Sequence, residues 1–378
     1  MLRFLTAGES HGEGLSGILE GFPKGVRIDK HLIDAELARR QAGYGRGARM
    51  AIEKDTAHFT GGLRAGRTLG SPIQFFVKNK DKTFDSFDKD RLDIMTVPRP
   101  AHADLAGALK YADPDVRNML ERASARNTAP YVVVGSLCRQ LLSSFGYDVA
   151  SHVTALGGIE CGRSSLTVRD IRSAVKDSRI GCVDSAKEKR MISAIDKAAK
   201  AGDTLGGIVE IVAEGIPVGL GSFMHWDRRL DTRLAAIMMS IPAVKGVEIG
   251  LGFDYARVPG SKSHDIIAHT AGRGFRRETN NSGGVEGGMS NGEPLLIRIA
   301  MKPIATLRSG LATVDLKTRK KAVAPAVRSD VTAVTACGVI AEALVSFVIT
   351  DLFLEKFSAD TLPDIRKNFT AYMRRISR

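Results

Sequence analysis

The stretch Val331 to Thr350 constrains the fold more than any other, because it is mostly small and apolar and about as long as a bilayer is thick. It carries Glu342 in mid-run and is followed by Asp351, Glu355 and Lys356. A charge at that depth, with more charges directly behind it, suits a helix wrapped in protein, so the run is read as a buried core helix.

A second stretch is organised for contact rather than packing. Asn280 to Gly292 reads N-N-S-G-G-V-E-G-G-M-S-N-G, with five glycines in thirteen residues. Glycine loses backbone entropy in a helix or strand interior and packs nothing there, but it lets backbone N–H groups approach a ligand closely. Composition alone also fits a flexible tether. Glu293 to Met301 then alternates, with Leu295, Ile297, Ile299 and Met301 on one face of a strand that Lys302-Pro303 ends. A glycine loop feeding straight into a core strand is anchored, and the tract is read as an ordered loop.

The chain has 378 residues, 43% of them hydrophobic, enough for one large core or two ordinary ones, and no composition break divides it. The formal net charge of +13 points to anionic partners without choosing among nucleic acid, a membrane surface and charged small molecules. Aromatics make up only 6% and no stacking motif of the RNA-recognition type occurs, so the charge is not read as RNA binding. The four cysteines, at 138, 161, 182 and 337, are widely spaced and form no Cys-x-x-Cys pair. That pattern suggests neither a zinc site nor a disulfide framework, and with no apolar run behind Arg3 it predicts a cytoplasmic chain with reduced thiols.

In chain order, Arg3 to Thr6 and Leu15 to Phe22 read as strands flanking Gly8-Glu9-Ser10-His11-Gly12, a turn that holds His11 between glycines. Asp29 can cap a helix whose apolar face holds Leu32, Ile33 and Leu37 and which ends in Arg39-Arg40. Beyond it, Gly43 to Arg49 interleaves arginine with glycine, a pattern for anions because the guanidinium is a planar fork and glycine removes the steric cost of approach. Pro98 and Pro100 stiffen the backbone ahead of His102-Ala103-Asp104, where a helix with Leu105, Leu109 and Tyr111 opens. Glu121 to Thr128 is rich in Ser, Arg and Thr and precedes an apolar helix that stops at Gly146; this is either a phosphate cradle or an ordinary cap by Ser124 or Thr128.

Residues 147 to 226 read as scaffold: a strand at Tyr147 to Ile159, helices at Val168 to Lys176 and Ala186 to Lys200, and a strand at Gly207 to Ala213. A helix from Arg228 to Met239 turns Leu230, Leu234, Ile237 and Met238 inward, and Val244 to Phe253 is a strand broken by glycines. Arg328-Ser329-Asp330 place charge just ahead of the apolar run, where Asp330 is either the cap of that helix or a functional carboxylate.

Taken together these stretches resemble chorismate synthase. The likeness runs through G-E-S-H-G at 8 to 12, R-R-x-x-G-x-G-R-x-x-R-M from Arg39 to Met50, R-P-A-H-A-D at 99 to 104, and E-R-A-S-A-R at 121 to 126. It continues in M-S-I-P-A-V-K-G-V-E-I-G-x-G-F at 239 to 253, N-S-G-G-V-E-G-G-M-S-N-G at 281 to 292, and K-P-I-A-T at 302 to 306. Seven collinear motifs cover essentially the whole chain.

The resemblance implies an α+β fold, a single-domain β-α-β sandwich with helices between antiparallel sheets, assembled as a homotetramer. It implies elimination of phosphate from 5-enolpyruvylshikimate 3-phosphate to give chorismate, a 1,4-anti reaction that needs reduced FMN without net oxidation. The flavin would be reduced by NADPH on the enzyme or by a separate flavin reductase, with no nucleic acid and no membrane as partners. Such a pocket receives two carboxylates and two phosphates, which accounts for an Arg-rich, Gly-rich lining.

By the same resemblance His11, His102 and Asp330 are catalytic. FMN contacts fall on Arg122, Ala123, Ser124, Pro242, Ala243, Gly287, Lys302, Pro303, Ile304, Ala305, Thr306 and Arg328. Arg40 and Arg46 match positions for NADPH or substrate, and Arg126 is a further substrate candidate. The chain departs from the family pattern at Ala101, where Gly is common, at Asn127, where Glu is usual, and at Pro130 and Ser329.

Overall fold

Alternation of buried and outward side chains marks a strand in each of the two sheets of the protein. The computed structural model describes residues 1–47, 54–80, 94–162, 165–271, 274–325 and 330–377. The first sheet takes β1 (Arg3–Ala7), β2 (Gly14–Glu20), β3 (Ala57–Gly61) and β4 (Ile73–Lys78) in the order β1-β2-β4-β3. In β4 the fully buried Ile73, Phe75 and Val77 alternate with outward Gln74 and Lys78, a period-2 pattern that sets one face on the core.

The second sheet takes β5 (Asp148–Leu156), β6 (Ile159–Glu160), β7 (Gly207–Glu214), β8 (Val244–Ile249) and β9 (Leu295–Met301) in the order β8-β9-β7-β5-β6. Every strand pair in both sheets is antiparallel. In β9, Leu295, Ile297 and Ile299 are buried and Met301 is half-buried, as the alternation predicts.

The main helices are α1 (Lys30–Gln41), α2 (Asp104–Tyr111), α3 (Val116–Ala123), α4 (Ala129–Ser143), α5 (Val168–Val175), α6 (Ser185–Ala201), α7 (Leu230–Met239), α8 (Val334–Lys356) and α9 (Leu362–Ile376). The apolar run is α8, with seventeen of its twenty-three residues buried, among them Glu342. It packs on β5 and β7, while α4 packs on β2 and β4, and the two helices lie against each other between the sheets. They cross in near backbone contact at Gly135, where a Cβ would stand 2.3 Å from the Ala343 Cα. Buried residues of both sheets, such as Phe75 and Ile297, join those helices in one core. The α+β sandwich expected from the resemblance is what the chain forms.

The buried charge on α8 is paired, as burial requires. Arg39 donates to both Glu342 oxygens at 3.0 Å and the Ser151 hydroxyl donates at 2.7 Å.

Several expectations change. Asp29 does cap α1, accepting from the His31 N–H at 2.9 Å, but Leu32 on that helix is exposed. Leu105, Leu109 and Tyr111 are also exposed, because α2 turns Ala108 and Gly107 toward α3 instead. Ile237 is half-buried, the strand from Val244 ends at Ile249, and the strand from Tyr147 divides into β5 and β6 around Gly157-Gly158. Asp330 does not cap α8: Ala333 is the cap residue and makes no side-chain bond, while Asp330 turns back to the loop after α1. Strands β3 and β4 and helices α3 and α9 add to the elements expected from the sequence.

Candidate active site

Strand β1 delivers His11 into a tight loop, and α3 meets that loop with its last turn. The His11 Nδ1 lies 2.8 Å from Glu121 Oε1, and the His11 main-chain N–H and the Ser10 hydroxyl donate to Oε2 at 2.7 and 2.9 Å. Burial alone would raise the Glu121 carboxyl, but the His11 ring and the donors around it outweigh that and hold it below its ordinary range. A carboxylate so placed holds a proton on His11 Nδ1 and leaves Nε2 as the nitrogen that exchanges a proton with a ligand. Arg122, next on α3, donates to Thr6 O at 2.9 Å, Thr6 Oγ1 at 2.8 Å and Gly8 O at 3.3 Å, so it staples the loop. Ala123 closes α3, and Ser124 caps the following turn by accepting from the Arg126 N–H at 3.3 Å. Thr128 makes no cap; its hydroxyl donates to Ala125 O.

Below this loop sits a buried Arg–Asp–Arg triad. Asp55, fully enclosed, accepts from Arg126 Nη1 at 2.6 Å on both oxygens and from Arg40 Nη2 at 2.7 Å. Arg126 also donates to Asn79 Oδ1 at 2.9 Å. Burial resists a charge here: the Arg40 guanidinium is pushed down by desolvation and by its cationic neighbours Arg126 and Arg46, with Asp55 opposing. Arg46 in turn pairs with Asp330 at 2.8 Å, and the Gly47 N–H donates to the same carboxylate at 2.5 Å. Burial lowers the Arg46 guanidinium and Asp330 opposes that.

The second histidine belongs to a separate cluster. His102 Nδ1 lies 2.5 Å from Asp104 Oδ1, and Arg99 brackets the same carboxylate with its Nε at 2.8 Å, Nη2 at 3.0 Å and main-chain N–H at 3.0 Å. Burial would raise the Asp104 carboxyl, but bonds from His102 and Arg99 prevail and hold it far below the usual range. Arg99 also donates to Thr306 Oγ1 at 3.0 Å, which ties the histidine to the segment leaving β9. There the Lys302 ammonium donates to Ala101 O, the Lys302 N–H donates to Ala243 O at 2.9 Å, and Ile304 O accepts from Thr204 at 2.8 Å. His102, Pro242-Ala243 and Lys302 to Thr306, Pro303 and Ala305 included, thus form one neighbourhood.

The glycine tract is ordered, as expected. Gly283 lies so close to Gly250 that a Cβ would stand 2.3 Å from the Gly250 nitrogen. The tract folds into a hairpin of Val285–Glu286 and Met289–Ser290 with Gly287 at its turn, where φ is +56° and a Cβ would meet nothing within 4 Å. Among the described residues, main-chain hydrogen bonds tie that hairpin to Leu220 and Leu230 and none reaches the residues around His102.

The family model described as chorismate synthase matches residues 2–354. The chain belongs to the chorismate synthase family. The chorismate synthase of Geobacter metallireducens is 50% identical over 387 residues, covering 99% of this chain and 98% of that protein. The chorismate synthase of Moorella thermoacetica is 50% identical over 378 residues, with 98% of each chain covered. A solved structure described as "Crystal Structure of Chorismate Synthase" superposes with a TM-score of 0.82 at 39% identity, over 100% of this chain and 98% of that one. A lyase of the chorismate synthase type is therefore the enzyme class of this chain.

The departures from the chorismate synthase pattern find local accounts. Asn127 accepts from Arg122 at 3.0 Å and donates to Glu121 O at 3.2 Å and Arg122 O at 2.5 Å, so an uncharged side chain does the stapling here. Pro130 sits in the first turn of α4, where its missing N–H costs nothing. Ala101 holds φ at +61°, in the left-handed region where the family's common glycine pays no steric penalty. Arg328 and Ser329 lie outside the described residues.

Sequence reasoning named both histidines and missed their carboxylates as functional. Asp104 had a signal, two residues from His102; Glu121 stood inside a recognised motif; Asp55 had none.

Proposed function

We propose that the chain converts 5-enolpyruvylshikimate 3-phosphate to chorismate by 1,4-anti elimination of phosphate and a ring proton, with reduced FMN bound beside the substrate. Most of the support comes from one observation: each histidine of the two family motifs is oriented by its own buried carboxylate, Glu121 for His11 and Asp104 for His102. Such pairs hold a proton at a defined ring nitrogen, as general acid–base work requires.

The residues fit a flavin phosphate and ring. Lys302 supplies an ammonium and Ser124 a hydroxyl, and the open space at Gly287 admits a close approach of backbone to a flat ligand. When bound, reduced FMN supplies transient electron density while the C–O bond breaks. The residues proposed to hold it are Arg122, Ala123, Ser124, Pro242, Ala243, Gly287, Lys302 to Thr306 and Arg328. Arg40, Arg46 and Arg126, guanidiniums gathered around Asp55 and Asp330, hold the substrate's anionic groups or a pyridine nucleotide. In this reading His11 protonates the departing phosphate, His102 maintains the protonation state of the reduced flavin, and Asp330 assists removal of the ring proton.

We also take the chain as one functional unit that assembles as a cytoplasmic homotetramer. Exposed Leu109, Tyr111, Phe253 and Phe275 favour assembly, because apolar rings in water are stabilised by a covering subunit. The test is an anaerobic assay of purified protein with substrate and FMN, reduced by dithionite or by NADPH. Phosphate release without stoichiometric loss of reductant is expected with dithionite. Reductant consumed in proportion to product would assign the protein to flavin oxidoreductases instead. Activity with NADPH alone distinguishes an enzyme that reduces its own flavin from one served by a separate reductase.

A further inference from the structure

A cavity of about 480 Å³ opens where the C-terminal end of α1, the middle of β5, the end of α5 and the start of α8 converge. We propose that it binds a small organic anion with an apolar body, at a site separate from the catalytic one. Its volume lies in the range of small-molecule pockets, about 300–1,000 Å³.

The charge of its wall is one-sided. Five cations, Arg39, Arg139, Arg172, Lys176 and Arg179, line it with one carboxylate, Glu36. Three of the five are occupied: Arg39 on Glu342 at 3.0 Å, Arg139 on Glu36 at 3.4 Å, and Arg172 on Asp148 at 2.5 Å. Arg179 lies over the Tyr44 ring, 3.9 Å from its centroid, and not on a carboxylate. Lys176, where α5 ends, has no ion pair among the described residues. These two cations at the mouth have attraction left for an anion.

Val153, Ile180, Val209 and Val339 in the same wall offer apolar contact for a hydrocarbon or aryl body. His152, almost fully buried in the same wall, binds Glu210 through Nε2 at 3.1 Å, and its Nδ1 has no hydrogen-bond partner. An enclosed polar atom without a partner is costly and rare in a finished core. The cavity is not an extension of the catalytic surface: Arg39 enters it, whereas Arg40, the next residue on α1, reaches Asp55.

The test is calorimetric titration of the full-length protein, in its solution assembly and at about physiological salt, with benzoate, phenyl phosphate and inorganic phosphate. Saturable binding of one or both aryl anions is expected, tighter than that of inorganic phosphate and unaffected by saturating 5-enolpyruvylshikimate 3-phosphate. Whether benzoate or phenyl phosphate binds better identifies the head group. The double variant Lys176→Glu, Arg179→Glu should weaken aryl-anion binding at least tenfold. Absence of saturable binding, displacement by the substrate, equal binding of inorganic phosphate, or indifference to the double variant each overturns the proposal. If that variant does not fold, hydrogen exchange on the parent protein decides: protection by the better aryl anion concentrated at residues 172–181 supports the site, and protection elsewhere refutes it.

Discussion

Replacing Glu121 by Gln changes one oxygen for an amide nitrogen and so isolates what the charge and the acceptor do for His11. The amide's best orientation keeps its oxygen where Oε2 now accepts from the Ser10 hydroxyl and the His11 N–H, at 2.9 and 2.7 Å. Its NH₂ then faces His11 Nδ1, which lies 2.8 Å from the present oxygen. Two donors cannot share that contact, so the ring must move its proton to Nε2 and accept at Nδ1. The fold loses little, roughly the 1.5–3 kcal/mol of one charged hydrogen bond. With Nδ1 accepting, the ring can no longer carry the second proton that makes its Nε2–H an acid, and turnover falls about 10²–10⁴-fold, equivalent to about 2.7–5.5 kcal/mol in the barrier. The measurement is phosphate release from 5-enolpyruvylshikimate 3-phosphate with reduced FMN under anaerobic conditions, alongside urea unfolding. The expected pattern is a large fall in kcat, a nearly unchanged KM and a stable protein, with partial recovery in Glu121→Asp. A kcat within about threefold of the parent would falsify the tautomer argument.

Other perturbations are as specific. His102→Ala should cut turnover by about 10²–10⁴-fold while FMN affinity, measured by fluorescence quenching, stays near the parent value; unaltered turnover removes His102 from the chemistry. Asp55→Ala leaves Arg40 and Arg126 buried without their shared carboxylate and should cost about 3–5 kcal/mol in denaturant unfolding; a loss under about 1 kcal/mol means the triad is not a buried pair in solution. Ala101→Gly relieves a left-handed alanine, worth about 1–2 kcal/mol, against an entropy cost of about 0.5–1 kcal/mol, so the unfolding midpoint should rise slightly; a drop refutes the strain reading. The depressed Asp104 carboxyl contributes stability that is present above its ordinary value of 3.8 and lost as pH falls toward its folded value. The stability difference between the parent and Asp104→Asn should therefore be full at neutral pH and shrink below about pH 4; a difference that stays constant to pH 2 contradicts it.

Period-2 alternation in β9, the Asp29 cap and the apolar run of α8 were legible because each is a local pattern whose consequence lies within one element. The same locality misled at α2. Leu105 and Leu109 stand one turn apart and look like a buried stripe, yet which face of a short helix is covered depends on α3, and α3 covers the other one. At Asp330 local order left cap and function both open, since a carboxylate ahead of a helix suits either until Arg46 and Gly47 are seen to claim it.

The amino-acid order alone determined the family, the positions of both histidines and the presence of an arginine-rich, glycine-rich lining, because those are properties of residue type and short spacing. Only the tertiary structure decided which charges meet. Glu121 lies 110 residues from His11, Asp55 lies 71 from Arg126, and Asp330 lies 283 from Gly47. No short-range rule links such partners; they are joined because the helices packed between the sheets bring distant loops into one low-dielectric neighbourhood, where each charge has to find its partner or be expelled.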